Sequence, residues 1–415
     1  MAADTLTDSG AVHTDAGPDS GAVDCRLFDC IQVNLALLAD RWHGPGTSLY
    51  AGAALRFRPV PGPGGLPTVE EPTSGQLDRT ARALGLVVRD RHGVGPGEEL
   101  TAAEGRYVVA DAWHLPWVPY FGHRHMDHSF LLEPADGGAV VVDGYHNETP
   151  WGSARPVRRP ISADDLAAAV PAGALAVTLA PAAAPAGAEP ELDFADAESR
   201  ARYVAAYAEH DDRVAALDRL TLETWLLARS RRLHAAFRAR TGTLPEGAED
   251  HVRAWESLAE SVYVGYRRAE RGRPEPRDLY VRLADRLDRD LDVFGAAAVR
   301  MPEPAADAPT APATAPAALR EQVAAAAGTV LRADPAALLD GRALADMPGY
   351  TSFRVVEIVE RLERELSLEF AADDLVPENL HHVDGLCRIV LRARSASTAA
   401  DARTGTRTVA RTGGN

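Results

Sequence analysis

Two proline- and alanine-rich stretches, residues 181–190 (PAAAPAGAEP) and 300–318 (RMPEPAADAPTAPATAPAA), limit what this chain can fold into. Proline fixes φ and removes a backbone donor, so neither stretch can hold a regular helix or a central strand. Both read as semi-rigid linkers. They divide the 415 residues into an N-terminal unit (24–180), a middle unit (191–299) and a C-terminal unit (319–393). That matches the two or three domains expected at about 150 residues each. Residues 1–23 and 394–415 read as disordered ends, and no internal repeat is visible.

The N-terminal unit is mixed. A helix is expected from near Cys30, with Ile31, Leu35 and Leu38 on one face, and a second over Gln76 to Leu84. Strands are expected at 105–112, 128–133 and 139–143. The Asp136-Gly137-Gly138 turn would join the last two as a hairpin. The middle unit reads as almost wholly helical, with Val214, Leu217, Leu220 and Thr224 at 3–4 spacing. Nothing in it converges on chemistry, so it reads as a packing or docking bundle. The C-terminal unit opens with an amphipathic helix (Leu319 to Val330). After a long loop, a second helix carries Val355, Ile358, Val359 and Leu362 on its apolar stripe.

Charge and composition narrow the function. A net charge of −16 disfavours a nucleic-acid binder or a polybasic membrane anchor. All 44 basic residues are arginine, which excludes a P-loop lysine, a Schiff-base lysine and a Ser–Lys dyad. Cys25, Cys30 and Cys387 are too few for a disulfide framework, and a reducing cytoplasm fits. Residues 1–22 lack the basic start and apolar core of a signal peptide. The longest apolar run, 166–180, contains Pro and Gly and is too short to span a bilayer. A soluble, cytoplasmic protein with no nucleic-acid or membrane partner is expected.

Three groups of residues can carry chemistry. Cys30, in LFDCIQVNLALL, sits at a helix start. There the dipole and free N–H groups favour a thiolate and can hold an oxyanion, although a buried, inert thiol fits the same pattern. His128 begins a strand and Asp143 ends its hairpin partner, which can bring the carboxylate to the imidazole; a strand-ending turn residue is the alternative for Asp143. Finally, His123, His125, Asp127 and His128 spell H-x-H-x-D-H, the dinuclear metal motif of metallo-β-lactamase-like hydrolases. Here that motif runs straight into a strand, and no downstream ligand set follows, so no metal is expected.

The order Cys30, His128, Asp143 is that of papain-like enzymes. Asp29-Cys30, the DHSFLL strand and the VVVDGY strand resemble the acyltransferase of butirosin biosynthesis and its relatives. These are similar in turn to papain-like peptidases that process bacteriocin leaders. The resemblance covers about 24–180, and a helical second domain often accompanies that family. It implies an α+β papain-like fold, with Cys30 as nucleophile, His128 as base and Asp143 as orienting acid. Where papain-like enzymes often carry an oxyanion glutamine, this chain reads Asp24-Cys25-Arg26.

Residues 319–393 resemble an acyl or peptidyl carrier protein, a four-helix fold. The family's G-x-D-S-L appears as GYTSF, with Thr351 in place of the aspartate. The resemblance implies that Ser352 carries 4′-phosphopantetheine, added by a phosphopantetheinyl transferase. On the residues alone, Ser352 also fits a helix cap. Glu357, Glu360, Glu363 and Glu365 supply the acidic helix on which carrier partners dock, or simply a solvated face. Together the two resemblances imply a thiol-dependent acyltransferase of natural-product, nonribosomal-peptide-like assembly. A carrier-bound acyl or aminoacyl thioester, loaded by a separate enzyme, would pass through Cys30 to a small-molecule amine. The alternatives are a thioesterase or peptidase-type hydrolase, and a non-catalytic carrier and docking protein.

Overall fold

The structure, a computed structural model, describes residues 23–95, 100, 105–135, 138–295, 315–347 and 349–409. The chain begins with α1 (Gln32–His43), β1 (Ala54–Phe57), β2 (Val60–Pro61), β3 (Pro67–Thr68) and α2 (Thr73–Ala83). Next come β4 (Leu86–Val94), β5 (Arg106–Asp111), β6 (Asp127–Ala135), β7 (Gly138–Asp143), β8 (Asn147–Thr149) and β9 (Gly152–Ala154). β10 (Val157–Ile161), α3 (Ala163–Ala169), β11 (Ala174–Pro181) and β12 (Glu191–Phe194) follow. The remainder is helical: α4 (Ala197–Ala208), α5 (Arg213–Arg240), α6 (Ala248–Ala269), α7 (Leu279–Phe294) and α8 (Ala317–Leu331). It ends with α9 (Pro335–Leu339), α10 (Ser352–Leu366), α11 (Pro377–Leu380) and α12 (Val383–Val409). No helix among the described residues is long and apolar enough to cross a membrane.

The described residues form two compact units, one within Met1–Ala51 and Pro72–Ala188, the other within Gly52–Glu71 and Glu189–Asn415. The first is built on a six-stranded sheet in the order β10-β7-β6-β5-β11-β4, with every ladder antiparallel. β5 and β6 bury runs of consecutive residues rather than alternate ones, the mark of a sheet centre covered on both faces. α1 is buried continuously from Val33 to Ala39. Gly144, just past β7, allows a close approach to this helix. A Cβ there would lie 2.9 Å from both Val33 and Leu37 side chains. The expected strands become β5, β6 and β7, and β6 pairs with β7 as a hairpin. Asp136 and Gly137 of its turn lie outside the described residues.

Residues 52–71, contiguous with the N-terminal unit in sequence, associate instead with the helical unit. β1 pairs in parallel with β12, Ala54 opposite Glu191 and Phe57 opposite Phe194. Glu223 of α5 is fully buried and accepts from the Thr68 hydroxyl (2.7 Å), the Val69 amide (2.7 Å) and the Tyr203 hydroxyl (3.0 Å). His234 holds the Gly52 carbonyl at 2.7 Å. Within the segment β2 pairs with β3 over two residues, and the bonds from Glu223 and His234 satisfy the Val69 amide and the Gly52 carbonyl.

Helices α4–α7 enclose a second buried charge. Asp290 accepts from the Arg231 guanidinium (2.5 Å), His251 Nε2 (2.8 Å) and Trp255 Nε1 (3.0 Å), with all four side chains buried. Burial by itself would raise the Asp290 carboxyl, but Arg231 and His251 hold it below the usual range. C-terminal to them, α8–α12 close their own core around Val323, Leu338, Ile358, Leu362, Phe370 and Leu386. The expected linker 300–318 lies outside the described residues as far as 314, and Ala317 and Ala318 already belong to α8, with Pro316 at its cap. α12 continues past 393 to Val409, through residues the sequence reads as a disordered tail.

Asp290→Ala would strand the Arg231 guanidinium without its carboxylate inside the bundle. It is expected to cost about 3–5 kcal/mol, read as a lower denaturation midpoint for the helical unit in urea.

Candidate active site

The turn before α1 is set by Asp29. Its Oδ1 accepts from the backbone amides of Ile31 (2.9 Å) and Gln32 (2.8 Å), and its Oδ2 from Gln76 Nε2 of α2 (2.5 Å). Cys30 is therefore held at the head of α1, as its position in the sequence suggests. However, two of the N–H groups that a helix start offers an oxyanion are already occupied by Asp29. Its carboxylate also works against a thiolate next door, so activation at Cys30 has to come from elsewhere.

That source is on β6 and β7. The Cys30 thiol points to the Asp127 carbonyl at 3.5 Å, which sets it beside the residue immediately before His128. The β6–β7 register places Leu131 opposite Val142. Carried one step further, it sets Asp143 opposite Phe130 and diagonal to His128 on the same face. His128 Nε2 meets Asp143 Oδ2 at 2.8 Å, and the two side chains are 0% and 3% exposed. An ionised carboxylate only accepts, so Nε2 is the donor of this pair, and in the neutral imidazole the lone pair is then on Nδ1. His128 Nδ1 is buried and has no hydrogen-bond partner among the described residues. A buried imidazole nitrogen with no partner, one residue along β6 from the carbonyl that holds the thiol, suits a general base. The ring edge of His128 packs on Tyr145 (5.2 Å, 78°), and the Tyr145 and Tyr120 hydroxyls are 3.1 Å apart.

A polar network that sequence reasoning missed joins these pieces. Asn34 lies four residues after Cys30, one helical turn on, and is completely buried. Its amide nitrogen donates to the Ser129 carbonyl (2.8 Å) and hydroxyl (3.0 Å) and reaches Asp143 Oδ1 (3.5 Å). Its oxygen accepts from the Gly144 amide at 2.9 Å. Ser129 in turn donates to the Cys30 carbonyl, and the Tyr145 amide donates to Asp143 Oδ1 at 2.9 Å. Helix α1 is thus bound to both strands at the level of Cys30, His128 and Asp143. An asparagine facing the apolar side of a predicted helix was the available signal. Gln76 was missed as well, since its partner Asp29 is 47 residues away.

The H-x-H-x-D-H residues go separate ways. His123 stacks on Trp151 (5.6 Å, 9°), while His125 stacks on Trp113 (4.4 Å, 5°) and bonds Asp111 at 2.6 Å. Asp127 takes the Thr73 hydroxyl at 2.5 Å, and His128 belongs to Asp143. No group of three or more potential ligands comes together among the described residues. Ser352 opens α10 in the other unit, with Thr351 as its cap: the Thr351 hydroxyl accepts from the Arg354 amide at 3.1 Å. Neither a protein-family model nor a curated protein matches this chain.

The other two thiols are built to be inert. Burial, reinforced by Asp24 and Asp143, pushes Cys25 up to about 11, and burial with Asp384 does the same for Cys387. Limited treatment with iodoacetamide should therefore label Cys30 first by peptide mapping, and more slowly in His128→Gln. Labelling led by Cys25 or Cys387 would contradict this assignment.

Proposed function

We propose that this chain is a thiol-dependent acyltransferase acting on thioesters. The observation that carries the reading is the buried His128–Asp143 pair, whose Nδ1 has no hydrogen-bond partner among the described residues, with the Cys30 thiol on the carbonyl of the preceding residue, Asp127. His128 Nδ1 takes the thiol proton as Cys30 Sγ attacks the acyl carbon of a thioester donor. The Sγ–C bond forms, the donor C–S bond breaks, and the departing thiolate takes the proton back from His128. An amine then attacks the acylated Cys30. His128 removes its proton, the C–N bond forms, and Cys30 leaves as the thiol. Asp143 keeps the imidazole in the tautomer this sequence needs and stabilises its cationic form.

Ser352 is the residue we assign to 4′-phosphopantetheine. The fit is chemical: a phosphodiester on the first residue of a fifteen-residue helix meets the positive end of its dipole. When attached, such an arm would present acyl or aminoacyl groups as thioesters.

Incubation with a short-chain acyl-pantetheine thioester should add one acyl group to the intact mass, and Cys30→Ala should show none. His128→Gln should slow acylation by about 10²–10⁴-fold. With a primary amine present, the product should be the amide. Free acid formed at the same rate with or without amine would make the chain a thioesterase-type hydrolase instead. Separately, coenzyme A and a broad-specificity phosphopantetheinyl transferase should add one arm to the wild type and none to Ser352→Ala.

A further inference from the structure

The acidic face of α10 is divided. Glu357 and Glu365 pair with Arg354 and Arg361 of the same helix and stay about half exposed. Glu360 and Glu363 point the other way, to arginines on α6 and the turn after it. Glu360 meets Arg271 at 2.5 Å and Arg267 at 3.9 Å; Glu363 meets Arg273 at 2.6 Å and Arg268 at 3.8 Å. In the first turn of α10, on the same stripe, Phe353 sets its ring edge on Tyr263 (4.5 Å, 84°).

Phe353, Glu360 and Glu363 recur at the helical period, as do Tyr263 and Arg267 on α6, with Arg271 in the turn just beyond it. Two stripes with aromatic rings at one end and opposite charges along the rest fit each other in one register. The contact is of a kind that can open. Its arginines on Glu360 keep about a third of their side-chain surface in water, and α6 gives Tyr263 and Val264 to the core of α8–α12, with Tyr266 packed against it. The pairs are graded: Arg268 and Glu363 are 7% and 8% exposed, whereas Arg271 and Arg273 keep about a third of their surface in water. There ion pairs are weak and screened by salt, over ~8 Å at 0.15 M and ~3 Å at 1 M ionic strength.

We propose that Tyr263 and the arginine row 267–273 form an intramolecular docking surface for the carrier-like helix α10. While docked, they cover the Phe353–Glu360–Glu363 stripe that follows Ser352. This rests on Ser352 being the attachment residue. It gives the middle helices a role as the holder of the carrier. Any enzyme that reads this stripe to reach Ser352 must first displace it.

The test uses the full chain with Arg271→Glu/Arg273→Glu, which leaves α10 untouched. Arm attachment from coenzyme A by a broad phosphopantetheinyl transferase is followed by intact mass. Amide hydrogen exchange is followed in parallel over 352–366. The variant is expected to be modified about tenfold faster, as loss of two ion pairs of this exposure allows, and to exchange faster in α10. Adding Glu360→Arg and Glu363→Arg should restore slow exchange. Equal modification rates in wild type and variant would overturn the proposal. If no chain gains an arm, the Ser352 assignment fails on its own. The docking surface is then decided by exchange: faster in the variant and slow again after the swap supports it, and unchanged exchange overturns it.

Discussion

One buried amide organises the sheet-containing unit. Asn34 is enclosed between α1, β6 and the end of β7, where any donor or acceptor left without a partner costs roughly 1–3 kcal/mol. Every polar atom around it has a complement, from Ser129 to Asp143 and the Gly144 amide. Sliding α1 along the sheet by one turn would leave several of them unpaired at once. The axial position of α1, and with it that of Cys30, is thereby tied to His128 and Asp143. Gly144 contributes by having no Cβ where Val33 and Leu37 approach.

The helical unit uses buried charge in a different way. Asp290 gathers Arg231, His251 and Trp255 from two other helices, and Glu223 gathers Thr68, Val69 and Tyr203. Such sites contribute less to net stability than an apolar core of equal volume. They are, however, intolerant of misplacement, so they select one arrangement of helices and fix where residues 52–71 run. Burial raises the Glu223 carboxyl even though it accepts several bonds, a sign of how far it is removed from water. The pairs between α6 and α10 are mixed: Arg268 and Glu363 are buried, while the arginines on Glu360 lie partly in solvent, where charge supplies register and selectivity more than strength.

Much of the local structure was legible. β5, β6 and β7, the hairpin, the helix after Cys30 and the helix through RVVEIVERLEREL follow from periodicity and turn residues, because those patterns act over a few residues. The elements that escaped are joined over long separations. Asn34 binds residues about 95 and 110 positions away, Gln76 binds Asp29, and 52–71 leaves the unit that flanks it on both sides. Hydrogen bonds of that range leave no periodic trace. The H-x-H-x-D-H run shows the converse: residues spaced like a ligand cluster go to different partners, His123 and His125 to tryptophans, Asp127 to Thr73 and His128 to Asp143.

By itself the sequence determined the chemical inventory and its order along the chain: a cysteine at a helix start, a histidine opening a strand, an aspartate closing the next, and a serine opening an acidic helix. It also determined the absence of lysine chemistry, since no such side chain exists to be used. Only the tertiary structure decided which nitrogen of His128 bears the proton, because that depends on Asp143 meeting Nε2 across the hairpin. Likewise, only packing decided that Asp29 occupies the helix-start amides, and that half of the acidic face of α10 is covered by arginines from α6 and the turn after it. In each case the deciding partner is distant in sequence, and its effect exists only once the chain has closed around it.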